Sequence, residues 1–364
     1  MGTIGKDAIR IAAHVDAETL GGAERSLATL LRHLDPRFQV DLIVTDAAVG
    51  EFLAANREVG QVIVCPPVRS DLELGGIAAQ LSAIRRLRPD VVHVNRNWIW
   101  AGQTGILGGL LSRGARVVGV EHAEPLPTGS RRLRLSRRLL ATRMAAIVAV
   151  GDATARLIES YIGLPRGSVR TIHNGVEVLS QGTEARLHRT PRIGAIGRLA
   201  EEKGFEDLPH VLRAVEGAEL LVVGEGEERG KLEALAGELG VADRFHLVGW
   251  RDDPVELLRT FDVLVQPSRR EGSPPLAALE AMMVGVPVVA ANVGSVNEAI
   301  EDDRTGILVP PRDPAALGAA VASLLGDPPR RARLASAARE RIMEEFTATQ
   351  MAARFEALYD EILN

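Results

Sequence analysis

At 364 residues, with 46% hydrophobic and 25% charged content, the chain has the composition of a water-soluble globular protein with room for two domains. One cysteine, Cys65, excludes an intrachain disulfide, and no apolar run reaches the roughly 18 residues that cross a bilayer. The formal charge of −5 is unevenly spread: residues 1–180 hold 22 basic and 17 acidic side chains, and the remainder holds 21 and 31, so the first half carries an excess of cations. The first residues lack the basic, apolar, small-residue order of a secretory signal, which makes a cytoplasmic location the expectation.

Short β-branched runs alternate with longer amphipathic ones along the whole chain, the pattern of parallel sheets with helical crossovers. In the first half strands are predicted at 9–14, 39–44, 62–65, 90–94, 116–120, 146–150 and 169–172. Helices are predicted at 23–34, at 72–87, where apolar residues recur every three or four positions, and at 153–162. The polar stretch 179–190, with Gly182 and no periodicity, reads as a linker. A second series follows, with strands at 192–196, 218–223, 245–248, 263–266, 287–290 and 306–309 and helices at 276–284, 314–325 and 329–345. The expected architecture is two doubly wound parallel-sheet, Rossmann-like domains, 1–182 and 183–346, facing a central cleft, with a final helix over 347–364 packing back on the first.

Ligands of such sheets bind beyond the carboxyl ends of the strands, so the loops that follow strands carry the functional expectation. Gly197-Arg198-Leu-Ala-Glu-Glu-Lys203-Gly204 follows one strand and supplies a guanidinium fork and a flexible ammonium, both suited to phosphate oxygens. Glu271-Gly272-Ser273-Pro-Pro-Leu276-Ala-Ala-Leu-Glu280 follows another. Its Glu271 suits sugar hydroxyls. Glu280 near a helix start suits a ribose diol, and the backbone N–H groups around Gly272, Ser273 and Leu276 suit phosphate. Gly21-Gly22 precedes the helix at 23–34 and permits close approach of an anion to its N-terminus. Gly224-Glu225-Gly226 lacks the third glycine of a dinucleotide fingerprint. His122 ends the strand at 116–120, and His14 sits at the matching place on the first strand; each is either a ligand-facing residue or a core histidine. Arg131, Arg132, Arg134, Arg137, Arg138 and Arg143 alternate with leucines in a basic amphipathic helix, suited either to an anionic membrane surface or to a solvated face whose leucines enter the core. No grouping has metal-ligand spacing, and no nucleic-acid partner is expected.

Taken together, these segments resemble the retaining nucleotide-sugar glycosyltransferases of family 4, with the two-domain GT-B fold. The resemblance is carried by Gly-Arg198-x-x-x-x-Lys203-Gly, by Val223-Gly224-Glu225-Gly226, and by Glu271 and Glu280 with Ala281-Met282 and Gly285-Val-Pro287. It extends to Gly294 through Glu298, to Thr305-Gly306 and, in the first half, to Gly21-Gly22, His122 and Asn174-Gly175. It implies a nucleoside diphosphate-sugar donor as co-substrate, an acceptor of unstated identity, no cofactor and no metal. It also implies Arg198 and Lys203 on the diphosphate, Glu280 on the ribose, and Glu271, His122 and Ser273 around the sugar. The two glutamates are separated by eight residues where the family has seven. Either Pro274 and Pro275 absorb the additional residue or Glu271 is displaced. A nucleotide-sugar epimerase of the same fold, or a non-catalytic nucleotide-sugar binding protein, shares most of these features.

Overall fold

The computed structural model describes residues 8–70, 72–97, 101–125, 131–180, 190–251 and 254–364. The chain forms two compact units. Unit 1 comprises Met1–Gly175 with Ala348–Asn364, and unit 2 comprises Val176–Thr347. The chain passes between them at Gly175/Val176, where Val176 N–H bonds the Phe346 carbonyl at 2.9 Å and Val176 bridges to Thr347. The expected linker at 179–190, with its boundary at 182/183, lies for the most part outside the described residues.

In unit 1 the order is β1 (Ile9–Val15), α1 (Gly22–His33), β2 (Phe38–Val44), α2 (Ala47–Ala54), β3 (Val62–Val64), α3 (Leu74–Leu87), β4 (Val91–Arg96), α4 (Gln103–Leu111), β5 (Arg116–Glu121), α5 (Arg131–Ala141), β6 (Ala146–Ala149), α6 (Asp152–Ile162) and β7 (Arg170–Thr171). Unit 2 continues with β8 (Arg192–Ile196), α7 (Leu208–Ala214), β9 (Glu219–Val223), α8 (Arg229–Glu238), β10 (Phe245–Gly249), α9 (Pro254–Leu258), β11 (Val263–Gln266), α10 (Leu276–Val284), β12 (Val288–Ala291), α11 (Val296–Ala299), β13 (Ile307–Val309), α12 (Pro314–Gly326) and α13 (Pro328–Glu345). The last helix, α14 (Ala348–Leu363), belongs to unit 1.

Both sheets are parallel and doubly wound. Unit 1 has strand order β3-β2-β1-β4-β5-β6-β7 and unit 2 has β10-β9-β8-β11-β12-β13. In each, the order reverses beside the first strand, between β1 and β4 and between β8 and β11, and that reversal opens a crevice at the carboxyl edge. The inner strands are covered on both sides, which is why they read as nearly unbroken apolar runs such as Val263-Leu-Val. Helix ends follow local chemistry. Asp313 and Asp327 accept the N–H groups of Ala316 and Arg330 ahead of prolines that begin α12 and α13, and Gly285, at φ 82°, ends α10.

α14 closes one face of the unit 1 sheet. Met351, Phe355, Leu358 and Tyr359 are buried against α1 and the strands, each contributing about 2 kcal/mol by apolar burial. The Tyr359 hydroxyl reaches Nδ1 of the buried His93 on β4 at 2.7 Å. α3, α4 and α5 lie on the opposite face, over Ala12, Ile43, Val92, Val94 and Val117.

Candidate functional site

In unit 2 the loops that follow β8, β9 and β11 are stitched together at the switch point. Gly197 and Leu199 donate to the carbonyls of Val223 and Glu225 at 3.0 and 2.9 Å, and Arg269 N–H donates to the Glu202 carbonyl at 2.8 Å. The fit excludes side chains. A Cβ at Gly224 would stand 1.9 Å from the Gly197 carbonyl, and one at Gly204, where φ is 65°, would stand 2.2 Å from the Pro267 carbonyl. The Gly224-Glu-Gly226 loop thus brackets the segment that carries Arg198. Arg269 locks the same region through side chains, bonding Asp207 at 2.7 and 2.9 Å and Glu206 at 2.7 Å.

This scaffold brings Lys203 and Glu271 together. Lys203 Nζ lies 2.7 Å from Glu271 Oε1, and the same oxygen accepts from Ser268 Oγ at 2.6 Å and Gln266 Nε2 at 3.1 Å. Glu271 is buried and Lys203 is 24% exposed, so the ammonium sits at the mouth of a carboxylate pocket. Arg198 is different. Its side chain is 64% exposed and paired with Glu202, a contact that water screens and that a diphosphate can replace at small cost. Burial acts to raise the Glu202 carboxyl, but its own backbone N–H together with Arg198 and Lys203 outweighs that and holds it below the usual carboxylate range.

Gly272 to Pro274 bend ahead of α10, and Glu271 is anchored on the strand side by Ser268. Leu276 is the first residue of α10, so its N–H has no carbonyl one turn back within the helix. Glu280 is the fifth residue of α10 and half-buried, one turn in from the helix start and beyond the first turn where the dipole argument placed it.

In unit 1 the corresponding crevice is neutral. Gly21 is extended and precedes α1; its N–H donates to the Glu24 side chain at 2.8 Å, so that donor is already used within the helix start. Burial raises the Glu24 carboxyl above its ordinary value. At the end of β4, Asn95 donates through Nδ2 to the Ala23 carbonyl at 3.3 Å and presents Oδ1 to His122 Nε2 at 2.8 Å. That arrangement puts the imidazole proton on Nε2 and leaves Nδ1 as an acceptor. Burial, with His93 nearby, pushes His122 down to about 3, so the ring is uncharged at neutral pH. His14 is a core residue, fully buried and bonded to Gln80 at 2.8 Å.

Behind Asn95 and His122, on the other sheet face, Arg96 and Arg137 share Glu121 Oε1 at 2.5 and 2.7 Å, all three buried. Burial pushes Arg96 down to about 10 against the pull of Glu121. The arginine segment at 131–143 divides its side chains: Leu140 and Met144 pack on the core, as a surface helix requires, but not all of its leucines do. Arg137 faces inward, while Leu135 and Leu139, which a surface helix would bury, are 68% and 55% exposed. The side chains of Arg131 and Arg132 lie outside those described.

Ser268, Gln266 and Asn95 escaped the sequence reading. The available signal was a polar residue ending an otherwise apolar strand at a switch point, Asn95 on β4 and Gln266 on β11.

Comparison with known proteins matches both halves. "Glycosyltransferase Family 4" matches residues 20–178 and "Glycosyl transferases group 1" matches residues 183–341. The chain is 31% identical over 283 residues to glycogen synthase of Mycobacterium tuberculosis, covering 73% of this chain and 67% of that one. It is 29% identical to the 2-deoxystreptamine N-acetyl-D-glucosaminyltransferase of Streptomyces fradiae, covering 88% and 86%. The crystal structure of Anabaena Alr3699/HepE in complex with UDP superposes with a TM-score of 0.85 at 20% identity, over 97% of this chain and 100% of that one. The match in fold, in both halves of the sequence and in a curated relative over two thirds of its length shows that this chain is a glycosyltransferase of the GT-B fold and belongs to family 4.

Proposed function

We propose that the chain transfers a sugar from a nucleoside diphosphate-sugar to an acceptor hydroxyl with retention of configuration at the anomeric carbon. The observation that carries this reading is the Lys203–Glu271 pair at the unit 2 switch point, with the exposed Arg198 beside it. Lys203 and Arg198 offer two cations to a leaving diphosphate as its charge develops, and backbone N–H groups at the start of α10 add to them. Glu271 lies against Lys203 and offers its carboxylate to hydroxyls of the transferred sugar. Ser268 and Gln266 hold it in place. Glu280 is assigned to the ribose. In unit 1, His122 offers an uncharged acceptor at Nδ1 for a sugar hydroxyl.

In the proposed reaction the bond from the anomeric carbon to the β-phosphate oxygen breaks. The acceptor oxygen bonds that carbon on the same face, and its proton passes to the departing phosphate. No protein nucleophile, cofactor or divalent cation enters this reading, and turnover in the presence of a chelator is its expected consequence. UDP and UDP-glucose are bound by Alr3699/HepE, which supports a uridine donor as the first to try. The single cysteine and the absence, among the described residues, of a helix able to cross a membrane agree with a cytoplasmic enzyme.

The test is calorimetric titration with UDP-, GDP-, ADP- and dTDP-glucose, followed by NMR of the product's anomeric proton. Binding of one donor and a product with the donor's configuration are expected. Failure of every nucleotide-sugar to bind, or an inverted product, overturns the corresponding half of the proposal.

A further inference from the structure

One helical layer of unit 1 differs in composition from its surroundings. α3, α4 and α5 contain no Asp or Glu, whereas α1, α2, α6 and α14 each contain at least one. The outward side of this layer carries leucines: Leu72 two residues before α3 and Leu74 at its start, with half-buried Glu73 between them, Leu107 and Leu111 on α4, and Leu135 and Leu139 on α5; all six leucines are exposed. Within α4 and within α5 the two leucines are four residues apart and so stand on one side of the helix.

The layer also concentrates cations without carboxylate partners. Elsewhere in unit 1, the surface arginines Arg37, Arg69 and Arg170 are paired with Asp360, Glu18 and Glu361, while Arg116 and Arg166 are exposed without a carboxylate partner among the described residues. Arg85, Arg86, Arg134, Arg138 and Arg143 are exposed and, among the described residues, none of them pairs with a carboxylate. Arg134 lies over the Tyr161 ring at 5.9 Å, and Arg143 donates to the Leu139 carbonyl at 3.1 Å. α5 cannot turn its leucines inward, because buried Arg137 fixes its inner side to Glu121.

We infer that the α3–α4–α5 layer docks on an anionic lipid bilayer. Exposed leucines enter the boundary between headgroups and acyl chains, and guanidiniums without protein carboxylates meet lipid phosphates. Nucleic acid fits less well. It would leave the leucines in water, and the three helices contain no Phe, Tyr or Trp on which bases could stack.

Co-sedimentation of the full chain with vesicles tests the inference without donor or acceptor, so its outcome is independent of the proposed transfer reaction. Binding to equimolar phosphatidylcholine and phosphatidylglycerol is expected at about 0.1 M salt, with little binding to phosphatidylcholine alone. Arg134→Gln with Arg138→Gln should weaken the partition by about 25-fold, at about fivefold per arginine. Leu135→Ser with Leu139→Ser should weaken it too, with the circular dichroism of both variants unchanged. Absence of binding to anionic vesicles, binding indifferent to lipid charge, or binding that survives both variants would overturn it. So would capture of single-stranded DNA in place of vesicles.

Discussion

The two sheets share one strand order over their first six strands, and each carries an amide side chain near the end of the strand across its switch point, yet the two amides hold opposite kinds of group. Asn95, next to last on β4, holds the uncharged His122; Gln266 closes β11 and reaches Glu271, itself paired with Lys203. The fold decides where polar groups gather, and a few residues at strand ends decide whether the gathering is neutral or ionic. A neutral acceptor suits a hydroxyl, whereas an ion pair with a second cation beside it suits a phosphate.

That contrast can be broken most forcefully at its scaffold. Arg269→Ala leaves Asp207 buried without its guanidinium and is expected to cost unit 2 about 3–5 kcal/mol in urea denaturation. An unshifted transition would mean that the stitched loops hold without it. Lys203→Ala should lower turnover by about 10²–10³-fold. Activity within a factor of about two of the parent would remove Lys203 from the phosphate site.

The neutral half makes its own prediction for pH. The folded state holds His93 at about 4, below its ordinary value of 6.5, because burial disfavours the cation. Between these two values the unfolded chain binds a proton that the folded chain refuses. Stability from this group is therefore complete above about 6.5 and lost as pH falls toward about 4, by roughly 3 kcal/mol in all. Thermal denaturation across that range should show the decline, and His93→Gln should reduce it, leaving the share of His122; an equal slope in the variant would assign the decline to other groups. The smallest effect is expected from Asn95→Leu. It frees the His122 ring and should lower kcat/KM about tenfold while leaving UDP affinity intact. Nitrogen NMR should show His122 losing its single tautomer. A drop in UDP affinity as large as that of Lys203→Ala would erase the division between the halves.

The strands were legible in the sequence because the inner ones are covered on both faces and read as apolar runs, so all thirteen appear in order, although edge strands such as β3 and β7 are partly exposed. Several helices were not. α4, Gln103–Leu111, holds three glycines and almost no polar side, so no periodicity marks it; its packing beneath β4 and β5 decides its form. At the site, Lys203 and Glu271 stood out because charged residues after apolar strands are conspicuous. Their pairing was hidden, since 68 residues separate them and only the order β8-β11 makes them neighbours. Asn95 stayed hidden for the same reason, 27 residues from His122, whereas Gln266 and Ser268, five and three residues from Glu271, stayed hidden because uncharged side chains at a strand end are inconspicuous. The arginine segment left its inner side open because amphipathic spacing does not say which side faces in, and the buried carboxylate of Glu121 decides it.

The assignment of α14 to unit 1 has a consequence for how the molecule is made. A ribosome delivers Val176–Thr347 as one uninterrupted stretch, so unit 2 has every strand and helix it needs before Ala348 emerges. Unit 1 begins first and must finish last: the apolar face awaiting Phe355 and Tyr359 stays uncovered while the whole of unit 2 is synthesised. During that interval His93 lacks its tyrosine and the nascent first half presents a sticky, half-built sheet, the stage of its life at which a chaperone would find the most to hold.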